Sequence, residues 1–230
     1  MIPVHDDNPT HITPWLTWGL IAACVLVFLW QWMLGAAGMQ ASIAGLGATP
    51  EILFGRGHAL EDPPWVPGWL TVFTSMFLHG SWAHLLGNLL FLHVFGNNIE
   101  DAMGHARFMV FYLLCGAVGV FAQALPQPDS AIPMVGASGA ISGVLGAYLL
   151  LYPRARVLIG LPPPLAFLTI GWVRAVWVLL VWFAMQLLMV TVTGMSGGGV
   201  AFGAHIGGFV AGMALVPVFK QSHIRLFRRH

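Results

Sequence analysis

Ser138 stands in a small-residue turn, Gly136-Ala137-Ser138-Gly139, that opens an apolar segment running from Ala140 to Tyr152. A serine at the first turn of a helix is a candidate nucleophile when another part of the chain brings it a base. Three residues elsewhere have suitable types. His84 and Asn88 are four apart, hence on one face of a helix, and His205 lies in Ala204-His205-Ile206-Gly207-Gly208. Acyl transfer needs a nucleophile, a base for its proton and donors for the developing oxyanion. Ser138, His205, and the pair His84 with Asn88 fill those roles, and the Ser138 N–H adds a donor where helix polarity favours negative charge. Each residue alone has a plainer reading: His84 and Asn88 as interhelical hydrogen bonds, the glycine-serine run as a packing stripe, His205 as a structural polar group.

Positioning these groups is a task for helices in lipid. Of 230 residues 58% are hydrophobic and 7% charged, against about 25% charged in an ordinary soluble domain, so the composition predicts an integral membrane protein. Six apolar segments approach the length needed for a hydrocarbon core about 30 Å thick. They are Trp15 to Leu34, Trp82 to Ile99, Phe108 to Leu125, Ser138 to Tyr152, Ala175 to Val192 and Val200 to Phe219. The alternation of a membrane barrel is absent. The expected fold is therefore all-α, a six-transmembrane-helix bundle over residues 15–219. Residues 1–14 are expected to form a short disordered or interfacial cytoplasmic lead-in, and 220–230 a basic cytoplasmic tail. The first apolar run is too long, and too poor in preceding basic residues, to be a cleaved signal. Cys24 and Cys115 fall inside spans and read as packing residues. The net charge of +1 implies no nucleic-acid partner.

With the N-terminus cytoplasmic, Arg107, Arg154, Arg156, Arg174, Lys220, Arg225, Arg228 and Arg229 all fall inside and only Arg56 outside, in agreement with the positive-inside rule. His84, Ser138 and His205 then each begin a span that runs from outside to inside, so all three lie in the outer half of the bilayer. From Ser138 to Pro153 the fourth span gives a helix of roughly 22 Å, about 8 Å short of the core. Ser138 is thus expected below the outer surface beside a hydrated cavity, because non-helical backbone is tolerated at that depth only inside protein or along water.

No Asp or Glu lies in the outer half of any span, and the sequence favours a Ser138–His205 dyad over a Ser-His-Asp triad. Small residues at spacing four, Gly139, Gly143 and Ala147 against Ala204, Gly208 and Gly212, should let the fourth and sixth spans approach closely. The fifth span, with Trp177, Trp182, Phe183 and a single strongly polar Gln186, suits a lipid-facing position. The long connection from Gly35 to Ser81 is expected partly in the outer leaflet. Glu100 and Asp101 should form a hydrogen-bonded or solvated helix end, and the glycine-rich stretch Gly194 to Gly199 a lid.

In His84-x-x-x-Asn88, Gly136-x-Ser138-Gly139 and Ala204-His205-x-x-Gly208-x-x-x-Gly212, in that order, the chain resembles the rhomboid family of intramembrane serine proteases. The resemblance covers the core from about Trp15 to Phe219. It implies Ser138 as nucleophile, His205 as general base, His84 and Asn88 on the oxyanion side, and neither metal nor cofactor. It further implies a partly embedded first loop, access gated by the fifth span and last outer loop, and substrates that are membrane proteins cut within or beside a transmembrane segment. The expected location is a lipid bilayer, multi-pass, in a bacterial inner membrane with both termini cytoplasmic. The chain departs from the family pattern at Trp69-Leu70, where many members have Trp-Arg, and at Ser142, where some have an aromatic residue stacked on the histidine. What orients His205 is therefore open at this point.

The alternative reading is a catalytically silent rhomboid-like protein that binds membrane-protein clients, disfavoured because both Ser138 and His205 are present. A transporter or metal-binding protein built on His79, His84, His93 and His205 is disfavoured because His93 faces away from His84 and neither an H-E-x-x-H helix nor a Cys-His cluster occurs.

Overall fold

Long apolar runs with few internal breakers become helix along most of the chain. The computed structural model describes residues 2–56, 64–161, 169–194 and 199–227; residues 61–63 of the first loop, 195–198 of the expected lid and 228–230 of the basic tail lie outside the described residues. In chain order, strand β1 (Ile2–Asp6) precedes α1 (Trp15–Met33). The first connection holds α2 (Gly35–Leu46), α3 (Pro50–Leu53), α4 (Gly68–Thr74) and a 3-10 turn (Ser75–Phe77). Then come α5 (Trp82–Met103), α6 (His105–Ala124) and α7 (Ser138–Leu151), strands β2 (Arg156–Gly160) and β3 (Thr169–Arg174), and helices α8 (Ala175–Thr193) and α9 (Phe202–Phe219).

Helices α1, α6, α8 and α9 are long and apolar enough to cross a membrane. Helix α5 has the length, 22 residues, but carries Asn88, Asn98 and Glu100, all buried. Helix α7 has only 14 residues, and Gly139 through Leu149 are all buried. Helix α7 is wrapped by protein and needs neither the uniform apolarity nor the length of a lipid-facing span, while α5 buries its polar groups and leaves Trp82 and Leu86 exposed.

The centre of the bundle is the α7–α9 contact, made backbone to backbone. A methyl built on Gly208 would lie 2.0 Å from the Gly139 carbonyl oxygen, one on Gly212 1.9 Å from that of Gly143, and one on Gly146 2.1 Å from that of Phe209. The glycine stripes thus set how close the Ser138-bearing and His205-bearing helices come. Gly104, at φ +78, turns α5 directly into α6.

At the opposite end from Ser138, two carboxylates organise the entry to α1. Glu100 is fully buried; its Oε2 accepts from the Thr17 N–H and hydroxyl, and its Oε1 from the Leu16 N–H, with His105 Nδ1 against the same Oε1. Pro14 at the N-cap of α1 provides no side-chain cap, so a distant carboxylate satisfies the orphan donors of the first turn. Asp101 accepts from the His11 and Ile12 N–H groups in the same way. In the other half, Gln31 of α1 is fully buried. It donates to Ser42 of α2 and accepts from the His79 N–H, tying the first connection to α1 just ahead of the segment that carries His84.

Two expectations need correction. The N-terminal lead-in is not disordered, and the fold is not purely helical: β1, β2 and β3 form an antiparallel sheet in that order, with Ile2 opposite Gly160 and Arg156 opposite Arg174. Val157 and Ile159 of the central strand are fully buried in the main core, which supplies the burial that residues 1–14 lack when read alone. An Arg156–Asp7 ion pair ties β2 to the end of β1, and a hydrogen bond from Tyr148 of α7 to Asp6 fastens the sheet to the bundle.

Burial pushes the Asp6 carboxyl up from 3.8 to about 6, and the Tyr148 hydrogen bond only partly opposes it. The folded state therefore holds this proton more tightly than the unfolded chain, so the Asp6 contribution to stability falls as pH rises from about 4 to about 6 and is flat above. A displacement of this size corresponds to at most about 3 kcal/mol. Asp6→Asn keeps an acceptor for Tyr148 and removes the titration. Thermal unfolding in detergent should show the variant gaining on the parent across that interval and more stable than it at pH 8. A constant difference from pH 4 to pH 8 would contradict the assignment.

Candidate active site

Gly136 sits at φ +118, in a region that side chains with a β-carbon rarely adopt, and its N–H donates to the Ser75 carbonyl at 2.8 Å. This bent, anchored residue brings Ser138 into the first turn of α7. The turn is also crowded. A methyl on Gly136 would lie 2.6 Å from His84 Nε2 and 3.6 Å from Asn88 Nδ2, so both side chains of α5 face the backbone just before the serine.

On the other side, α9 presents His205, whose Nε2 is 2.8 Å from Ser138 Oγ. The start of α9 is fixed to α6 by the Gly203 N–H donating to Gln123 Oε1. The four residues singled out by the sequence, Ser138, His205, His84 and Asn88, line one cavity of about 710 Å³ together with Ser142 and Trp182. Asn88 Nδ2 is buried and has no hydrogen-bond partner among the described residues, an unsatisfied donor on a residue that lines the cavity. His84 Nδ1 faces the Gly80 N–H at 3.5 Å, and its Nε2 is turned toward Gly136. Among the described residues, no three His, Cys, Asp or Glu side chains converge in a way that could hold a metal ion. His79 and His84 are ring neighbours 5.1 Å apart.

Chemically, the arrangement places a hydroxyl against an imidazole acceptor, with two side-chain donors across a cavity from that imidazole. A family model described as Rhomboid domain matches residues 67–222, from the first connection to the end of the described bundle. The chain belongs to the rhomboid family. This rhomboid is 32% identical over 136 residues to the rhomboid protease GluP of Bacillus subtilis, an alignment covering 59% of the chain and 24% of the relative. It is 31% identical over 127 residues to rhomboid protein 1, mitochondrial, of Saccharomyces cerevisiae, covering 53% and 37%. To rhomboid-like protease 3 of Toxoplasma gondii it is 32% identical over 155 residues, covering 66% and 52%. The matched region thus spans between a quarter and about half of the length of these relatives.

One residue of the site in this rhomboid escaped the sequence reading. The apolar composition of its helix suits a lipid-facing position for Gln186, whereas its Oε1 lies 2.9 Å from His205 Nδ1 and the residue is buried. The signal was available: an amide inside an otherwise apolar span is expensive and tends to have a partner. The Trp182 ring, one turn earlier on α8, lies 5.9 Å from the imidazole and flanks it where Ser142 supplies no aromatic face. Ser142 instead donates to the Ser138 carbonyl at 2.6 Å, the common fate of a serine inside a helix.

Proposed function

We propose that this rhomboid is an intramembrane serine endopeptidase, cutting membrane proteins within or beside a transmembrane segment through an acyl-enzyme. The observation that carries the reading is the 2.8 Å contact of His205 Nε2 with Ser138 Oγ inside a cavity within an apolar bundle. His205 takes the Ser138 proton as Oγ attacks the scissile carbonyl, and the carbonyl oxygen becomes an oxyanion facing Asn88 Nδ2, His84 Nε2 and the Ser138 N–H. The imidazolium then gives its proton to the leaving amine as the C–N bond breaks. A water, deprotonated by the same nitrogen, attacks the acyl carbon, and the imidazolium returns that proton to Ser138 Oγ as the acyl C–O bond breaks and the carboxylic acid product leaves.

In this reading the domain runs over residues 15–219 with six spans, α5 and α7 completing the four helices of lipid-spanning composition. Both termini face the cytoplasm of a bacterial cell. Support comes from the clustering of Arg107, Arg154, Arg156 and Lys220 at the sheet end, where Arg107 reaches the Lys220 carbonyl and Arg154 that of Phe227. The cavity end has the exposed Arg56–Asp129 pair.

The test is cleavage of a single-span membrane protein by the purified chain reconstituted in vesicles. Wild type should release two fragments at a site in or beside the span. Asn88→Ala should slow cleavage about 10²- to 10³-fold, the usual effect of losing one oxyanion donor, or less where His84 compensates. Binding of the substrate without any cleavage would leave the client-binding alternative standing.

A further inference from the structure

The geometry points to Gln186 as a positioning residue that fixes the tautomer of His205, making the site a Ser138–His205–Gln186 relay rather than a dyad. The inference rests on the proteolytic reading and adds the partner that orients its base.

The orientation of the Gln186 amide is set by its own helix. Its Nε2 donates to the Trp182 carbonyl at 3.3 Å, one turn back, which leaves Oε1 toward His205 Nδ1 at 2.9 Å. Flipping the amide would set its oxygen against the Trp182 carbonyl oxygen, two acceptors with no proton between them. With an acceptor at Nδ1, that nitrogen must carry the imidazole proton. Nε2 is then left with its lone pair toward Ser138 Oγ, 2.8 Å away, the tautomer a general base needs. The amide does this without a carboxylate, whose charge would be costly to bury within a span.

The residue also ties the base to the position of α8. Beyond Leu179, Gln186 is the only buried residue on that helix, and it meets α9 beside Trp182 and Phe183, whose rings stack on Phe209. When that half of α8 moves off α9, His205 loses its acceptor, and the base is set correctly only with α8 in place.

The experiment compares wild type with Gln186→Met, which keeps the length and removes the acceptor, and Gln186→Glu, which keeps an acceptor. Cleavage in vesicles is followed across pH, with thermal unfolding to confirm folding. In Gln186→Met kcat should fall about 10- to 100-fold with KM little changed, short of the ~10⁴-fold seen where a partner forces the wrong tautomer. Gln186→Glu should recover at least about tenfold of that loss. The acidic limb of the rate profile should move to lower pH in the Met variant and to higher pH in the Glu variant, because an acceptor, and more so a carboxylate, stabilises the imidazolium. A folded Gln186→Met with wild-type kcat, or one rate profile shared by all three proteins, overturns the relay and assigns Gln186 to packing. If the Met variant does not fold, a Gln186→Glu profile superimposable on wild type overturns it equally. Wild type that neither cleaves nor reacts with a serine-directed probe would instead remove the proteolytic reading.

Discussion

Ser138→Ala and His205→Ala are each expected to bring cleavage to background, with the double variant no worse than either single one, whereas Ser142→Ala should keep substantial activity. The two serines make a stringent comparison because they lie one turn apart on one helix, each followed by glycine, and line the same cavity. Only Ser138 has its hydroxyl on an imidazole nitrogen. The Ser142 hydroxyl is committed to the carbonyl of Ser138 itself. Losing that bond costs about 1 kcal/mol, so Ser142→Ala should slow cleavage about fivefold at most. The single losses should not add, because nucleophile and base act as a unit. Initial rates for the four proteins in one vesicle preparation decide the point. Full activity in Ser138→Ala, or none in a folded Ser142→Ala, would move the nucleophile one turn down the helix.

Gly212→Ala is expected to be the most damaging substitution outside the site. Its methyl would lie 1.9 Å from the Gly143 carbonyl oxygen and 2.6 Å from the Gly143 Cα. Backbone has no rotamer to yield, so α7 and α9 must separate. Overpacking by one methylene typically costs about 1–3 kcal/mol and occasionally more, and a clash of two backbones belongs at or beyond the top of that range. Separation of these helices also draws His205 from Ser138, so the variant should melt well below wild type and cleave nothing even where it remains folded. Gly19→Ala is the matched control. No atom lies within 4 Å of a methyl placed there, and alanine is the better helix former by about 1 kcal/mol, so its melting temperature should be unchanged or higher. Equal melting of the two variants would mean that the glycine stripe does not set the α7–α9 distance.

Much of this site is legible in the sequence because its residues are chemically conspicuous where they stand. Ser138, His84, Asn88 and His205 are polar groups near the ends of apolar segments, expected in one leaflet if the six segments all span; the structure brings the four to one cavity. The glycine stripes are legible for the same reason, since spacing four is a helical face. Gln186 is legible as an oddity but not as a partner, because sequence does not fix which way an otherwise apolar helix turns its one amide. The sheet is harder still. Strand β1 is only five residues long and pairs with β2 some 150 positions away, so no local pattern announces it. Likewise, Glu100 shows itself as a helix-terminal acid. That it satisfies the first turn of α1 depends on a contact 83 residues away in sequence.

The proposed proteolysis requires Ser138 to be an activated nucleophile. The most direct measurement is reaction of the detergent-solubilised protein with a fluorophosphonate, whose phosphorus is attacked by an activated serine oxygen with loss of fluoride, followed by peptide mapping of the adduct. The account predicts one adduct on Ser138, abolished in His205→Ala and retained in Ser142→Ala. An adduct on Ser142, or labelling of Ser138 undiminished in His205→Ala, would contradict it.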